Sequence, residues 1–213
     1  MRIALISATK LSLQPIEYAM NERNTNLEFF HLLDTSLIYM LKSDGCISER
    51  IYNRFKSLCD ISMENGADCI QLTCSAFNDV TDLLKNKYKI PIYRSDEGMV
   101  KKVLSYKKIG IVSTFAETPL VLKNYIEKHL PKSEIIIQVN TELMKDFEAG
   151  NKNLHDAGVL KMIESLQDSV DVILLAQYSI AHVAKMKAFN IPVITAPDAS
   201  IGLCLTNISE VES

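Results

Sequence analysis

The residues best placed to do chemistry lie in Asp68-Cys69-Ile70-Gln71-Leu72-Thr73-Cys74-Ser75-Ala76-Phe77, where an apolar run stops at Thr-Cys-Ser. A helical segment is expected next, from Ala76 to Lys87. A buried strand that hands small polar residues to the start of a helix is how α/β proteins build sites beyond the carboxyl ends of their strands. The first backbone N–H groups of such a helix lack intrahelical partners and can hold an anion. The same dipole is expected to lower the pKa of a thiol placed there, which makes Cys74 a candidate base or nucleophile. Thr73, Ser75 and the backbone of Ala76 stand beside it as candidate substrate contacts. The bland alternative for Cys74 is a small buried residue at a strand end, a common place for a free cysteine. Mid-strand Cys69 reads as core.

Composition narrows the field. The chain has 213 residues, 47% hydrophobic and 23% charged, with a net charge of −3. That is a soluble globular composition with room for one domain or two small ones. No basic stripe suggests nucleic acid as a partner. The opening apolar run, Ile3 to Ile6, is too short for a signal peptide or membrane span, so a cytoplasmic protein with no membrane partner is expected. The five cysteines include no CxxC, and neither they nor the four histidines fall at metal-ligand spacing. No metal and no disulfide framework is therefore expected. With only 7 glycines and no Gly-rich phosphate loop, a flavin or nucleotide domain is a poor reading.

The positioning elements alternate. Strands are expected at Arg2 to Ser7, Leu27 to Leu32, Asp68 to Thr73, Ile90 to Tyr93 and Lys108 to Ser113. Helices are expected at Leu13 to Asn24, Ser48 to Asn65 (stopped by Gly66), Ala76 to Lys87 and Glu97 to Leu104. This alternation predicts parallel sheets with crossover helices. The second half then repeats the first. Ile3-Ala4-Leu5-Ile6-Ser7 matches Ile109-Gly110-Ile111-Val112-Ser113, Ala67-Asp68-Cys69-Ile70 matches Val170-Asp171-Val172-Ile173, and Ile90-Pro91-Ile92 matches Ile191-Pro192-Val193. The expected architecture is α/β, with two pseudo-symmetric lobes, each a short parallel sheet flanked by helices, and an active site in the cleft between them. Residues 1–100 form the first lobe and 101–197 the second, and a last helix within 198–213 packs back on the first. Under the repeat, Cys74 matches Gln177, with Tyr178 and Ser179 following.

With these motifs the chain resembles the aspartate/glutamate/hydantoin racemase superfamily over nearly its whole length. The resemblance rests on Leu72-Thr73-Cys74-Ser75-Ala76-Phe77, Lys108-Ile109-Gly110-Ile111-Val112-Ser113-Thr114 and Leu175-Ala176-Gln177-Tyr178-Ser179. It is supported by His31 to Leu37 and Ser95 to Met99, which bring Asp34 and Glu97 into consideration as strand-end carboxylates. The family implies a cofactor-independent enzyme with one cysteine in each lobe, moving a proton at the carbon next to a carboxylate. It implies a small carboxylate substrate and a homodimer. Ser7 and Thr9 stand in the loop that binds the substrate's polar end, where glutamate racemases have an Asp-Ser pair. Thr114, Ser75, Tyr178 and Ser179 suit the role of oxyanion donors. The departure is Gln177 at the position of the second cysteine, because an amide is neither acid nor base near neutral pH. Three functions follow as candidates. They are a racemase or isomerase of a small acid, a one-thiol lyase or decarboxylase, and a non-catalytic binder of small acids.

Overall fold

The computed structural model describes residues 1–23 and 27–209. The chain divides into two compact units, Met1–Glu97 together with the segment from Ser200, and Gly98–Ala199. In order, the first contains β1 (Arg2–Ser7), α1 (Leu13–Asn21), β2 (Glu28–Leu33), α2 (Ser36–Asp44), α3 (Glu49–Glu64), β3 (Cys69–Leu72), α4 (Asn78–Leu84) and β4 (Ile92–Tyr93). Helix α5 (Glu97–Lys102) leads into β5 (Lys108–Ser113), α6 (Thr118–His129), β6 (Glu134–Val139), α7 (Glu142–Glu148), α8 (Lys152–Leu166), β7 (Val172–Leu175) and β8 (Val193–Thr195). Helix α9 (Ala196–Ser209) closes the described chain.

Each unit holds one four-stranded parallel sheet, ordered β2-β1-β3-β4 and β6-β5-β7-β8. The repeat read from sequence is reproduced residue by residue in the register. Ile3 pairs with Cys69 and Ile109 with Val172; Ile70 pairs with Ile92 and Ile173 with Val193. The entry to each central strand is repeated too. The Asp68 carboxylate accepts from the Arg2 N–H at 2.8 Å, and that of Asp171 accepts from the Lys108 N–H at 2.8 Å. The central strands β1, β3, β5 and β7 are buried almost throughout because helices cover both faces, which is why they read as continuous apolar runs.

The best-formed first-unit helix shows how sequence sets its bounds. In α3, Ile51, Phe55, Leu58, Cys59 and Ser62 recur at helical spacing and are buried. The Ser48 side chain accepts from the Ile51 N–H at the start. At the end, Gly66 takes a left-handed φ of 71°, its N–H bonds to Met63 O, and the Ala67 N–H bonds to Ser62 O. Those paired bonds are the Schellman stop that glycine makes cheap. On the C-terminal helix, the Ser200 hydroxyl donates to Ser95 O at 3.3 Å, and the Cys204 thiol lies 3.6 Å from Gln71 Oε1.

Some elements differ from expectation. Helix α1 ends at Asn21, and Asn24 lies outside the described residues, as does the end of the C-terminal helix past Ser209. Helix α2 had no counterpart in the sequence reading; its left-handed Gly45 cap supplies the stop. Instead of one helix from Ala76 to Lys87, a 3₁₀ turn (Ser75–Phe77) precedes α4, and a second (Lys85–Lys87) follows it. No helix among the described residues is long and apolar enough to cross a membrane.

Candidate active site

In the first unit, Ser7 ends β1 and Thr73 follows β3, so parallel pairing sets them side by side. Their hydroxyls are 2.8 Å apart, both buried. Thr73 then donates to Ser12 Oγ at 2.9 Å, and Ser12 to Thr9 O at 3.0 Å. Taken in that direction, each hydroxyl gives one proton and no buried group is stranded. Ser7 and Thr73 are thus spent on each other, where free substrate contacts were expected. Thr9 is half-buried, and its side chain caps the turn that follows through the Leu11 N–H at 3.3 Å. Asp34 and Glu97 are also engaged, in ion pairs with Arg54 at 2.5 Å and Lys85 at 2.7 Å.

Cys74 comes next and is half-buried, packed against the first unit's apolar core. The expected lowering of its pKa is overturned. Burial pushes the Cys74 thiol up to about 11, and the Ala76 backbone N–H, which donates to it, only partly opposes this. The physical reason lies in the turn. The Phe77 N–H is used by Cys74 O and the Asn78 N–H by Ser75 O, so α4 begins four residues beyond the thiol. A helix dipole fades within about one turn and is weak at that distance. Ser75 is half-buried and Ala76 exposed.

The second unit arms the matching strand end differently. Gln177 is only 7% exposed, and its side-chain oxygen accepts from the Thr114 N–H at 2.6 Å and the Thr114 hydroxyl at 3.1 Å. The Ser113 hydroxyl lies 3.1 Å from the same oxygen, but its single proton has the shorter path to Phe115 O at 2.7 Å. A backbone N–H can only face the oxygen, which fixes the amide's orientation. The Gln177 Nε2 group then points away from the clamp and is buried with no partner. An amide so placed is an acceptor already filled and a donor still open. Thr114, expected as an oxyanion donor, gives both its hydrogens to Gln177 and so positions that amide. Tyr178 is buried and Ser179 half-buried in the 3₁₀ segment Tyr178–Lys185.

Comparison with solved structures shows what fold the chain shares. Over 97% of this chain and 93% of the other, it superposes on an aspartate racemase from Picrophilus torridus with a TM-score of 0.73 at 14% identity. An aspartate racemase homologue from Pyrococcus horikoshii gives 0.76 at 12% identity, covering 98% and 99%. An allantoin racemase from Klebsiella pneumoniae gives 0.71 at 12%, covering 98% and 88%. The chain shares the fold of these proteins. No family model and no curated protein matches the sequence itself.

Within this fold, sequence reasoning passed over two groups. Asn78 is a second clamped amide. Its oxygen accepts from the Ser95 N–H at 2.9 Å and the Ser95 hydroxyl at 3.1 Å, and its buried Nδ2 has no partner. In the second unit, Asp156 lies 2.8 Å from His155 Nδ1 and 2.9 Å from His182 Nε2. Nothing in the spacing of residues 78 and 95, or 156 and 182, marks either group; only the folded chain brings them together. Among the described residues, no group of three or more His, Cys, Asp or Glu side chains is placed to hold a metal ion.

Proposed function

We propose that this chain is a cofactor-independent, racemase-like isomerase of a small carboxylic acid, with Cys74 as its proton-transferring thiol. The observation that carries this reading is the half-buried thiol just past the carboxyl end of central strand β3, in a fold shared with aspartate and allantoin racemases. Gln177 Nε2 donates to a substrate oxygen, and its clamped carbonyl keeps that donor in place. An oxyanion donor so fixed costs no reorganisation as charge develops next to the reacting carbon.

The direction of the Cys74 shift assigns its resting role. With a pKa of about 11, roughly one molecule in ten thousand carries a thiolate at pH 7. Cys74 therefore acts first as a proton donor. A donor thiol gives a rate nearly level on its alkaline side from pH 7 to 10; a thiolate nucleophile gives about a tenfold rise per pH unit.

Proton NMR in D₂O with pooled aspartate, glutamate, hydantoins, maleate and aryl-substituted malonates tests the reading directly. Wild type should exchange an α-proton of at least one acid, and Cys74→Ala should lose that exchange by at least about a hundredfold with its circular dichroism unchanged. Full exchange by the variant would sink the proposal.

A further inference from the structure

We infer that the substrate of this chain is an acid without an ammonium group, because the strand ends offer hydrogen-bond donors and keep their acceptors for the protein itself. This names the substrate class more narrowly and rests on the reading of a small carboxylic acid as substrate. Each unit supports it separately.

In the second unit the discrimination lies in Gln177. Its oxygen accepts from the Thr114 N–H at 2.6 Å and the Thr114 hydroxyl at 3.1 Å, and the backbone N–H forbids the flipped amide. Nε2 is left buried with two hydrogens and no acceptor. Such groups are rare, because each forgoes a hydrogen bond that it makes in water. A carboxylate or carbonyl oxygen removes the deficit. An ammonium, itself a donor only, sets hydrogen against hydrogen and deepens it. The carboxylate that follows β8 is occupied as well, since Asp198 accepts from the Thr195 hydroxyl at 2.7 Å.

The first unit reaches the same result with charged groups. Asp34 follows β2, and Asp96 and Glu97 follow β4, all buried or half-buried. Arg54 holds Asp34 at 2.5 Å, Arg94 holds Asp96 at 2.8 Å and Lys85 holds Glu97 at 2.7 Å. Turning Asp96 towards a substrate ammonium would take an anion away from Arg94, which is 2% exposed, and breaking a buried pair is costly. Asn78 repeats the clamp of Gln177. Its oxygen accepts from the Ser95 N–H and hydroxyl, and its buried Nδ2 has no partner.

The remaining polar groups do not reverse the preference. Hydroxyls such as those of Ser75 and Ser179 can donate or accept, so they select for neither kind of group. Glu117, just before α6, is exposed, and an ion pair formed in water contributes little. Loss of a proton next to the carboxylate then needs a neutral electron-withdrawing group on the same carbon. A second carbonyl meets that need, and its oxygen is again an acceptor for a donor-only amide.

Matched acids in which a methyl stands in place of the ammonium test this on the full chain: 2-methylsuccinate against aspartate, and 2-methylglutarate against glutamate. Binding is followed by ¹⁵N NMR titration, with the Gln177 side-chain signals assigned by their absence from Gln177→Glu. Wild type should bind each methyl acid at least about tenfold more tightly than its amino partner, the cost of burying a charged donor without an acceptor. The Gln177 side-chain signals should move as it binds. Gln177→Glu puts an acceptor oxygen in place of Nε2 and should narrow or reverse the order. Equal or tighter binding of aspartate and glutamate by wild type would overturn the inference and leave the small-acid reading intact, as would an order unchanged in a folded Gln177→Glu. Should that variant not fold, the wild-type order still decides. Binding of neither member of either pair would overturn the small-acid reading, and the inference with it.

Discussion

The ends of β3 and β7 are built on one plan and armed in opposite ways. The Thr73 N–H bonds to Ile6 O at 3.1 Å, and the matching Ala176 N–H bonds to Val112 O at 3.1 Å. One residue later the plans part. Cys74 is an ionisable group packed against apolar neighbours, with the Ala76 N–H as a donor on its sulfur. Gln177 is a neutral group whose oxygen accepts from the N–H and the hydroxyl of Thr114. The repeat thus conserves the frame, which depends on buried apolar strands, and frees the strand-end residues, which those strands do not constrain. A repeated frame can keep its geometry while presenting a thiol at one strand end and a clamped amide at the other.

The comparison extends to the outer strands, and there the largest effect is expected. Register matches Arg94, just past β4, with Thr195 at the end of β8. Arg94 is 2% exposed and grips buried Asp96 through Nε at 2.8 Å and Nη2 at 3.0 Å. Thr195 merely donates to Asp198 at 2.7 Å. Removing one member of a buried ion pair strands the other charge. Arg94→Ala should therefore cost roughly 3–5 kcal/mol in urea unfolding at pH 7, and Thr195→Val only about 1 kcal/mol. Burial already raises the Asp96 pKa against the pull of Arg94, and losing Arg94 raises it further. A carboxyl raised in the folded state favours folding at low pH, so part of the Arg94→Ala deficit should return as pH falls from 7 towards 5. Equal costs at the two positions would break the comparison.

A smaller effect sharpens it at the strand ends themselves. Gln177→Leu leaves the buried Thr114 N–H without its acceptor and should cost about 1–3 kcal/mol. Cys74→Ala strands no buried donor of that kind and should cost under about 1 kcal/mol, close to one buried methylene. Their effects on turnover should rank the other way, with Cys74→Ala the more damaging. Unfolding midpoints and exchange rates on the same two proteins check both orders.

How much of this was legible in the sequence follows from how local each signal is. Apolar runs such as Ile3 to Ile6 and Ile109 to Val112 announce strands because every residue in them is buried, and the Ile-Pro-Ile and Ile-Pro-Val echoes fix the order of the repeat. The register followed from that alone. The sign of the Cys74 shift did not, because it depends on a 3₁₀ turn in place of a helix start and on burial by residues distant in sequence. The orientation of Gln177 depends on Thr114, 63 residues away. The contact of Asp156 with His182 has no sequence periodicity behind it. Spacing reports what a strand must bury; it is silent on which polar groups will meet at its end.

The smallest expected effect isolates the thiol from its amide counterpart. Cys74 has an ordinary pKa near 9 when unfolded and about 11 when folded. A thiol with a raised folded value contributes stability that is complete below the unfolded value and is lost as pH rises through the folded one. Wild type should accordingly lose stability between pH 8 and 10, beginning near 9. Cys59, whose pKa burial raises to about 12, adds to the same loss. Cys74→Ala should keep the Cys59 share and lose its own, giving a flatter profile, whereas Gln177→Leu should fall in parallel with wild type because an amide does not titrate. Urea midpoints at pH 8 and 10 for the three proteins decide the matter. Parallel loss in all three would mean that Cys74 does not titrate with the raised pKa on which its donor role rests.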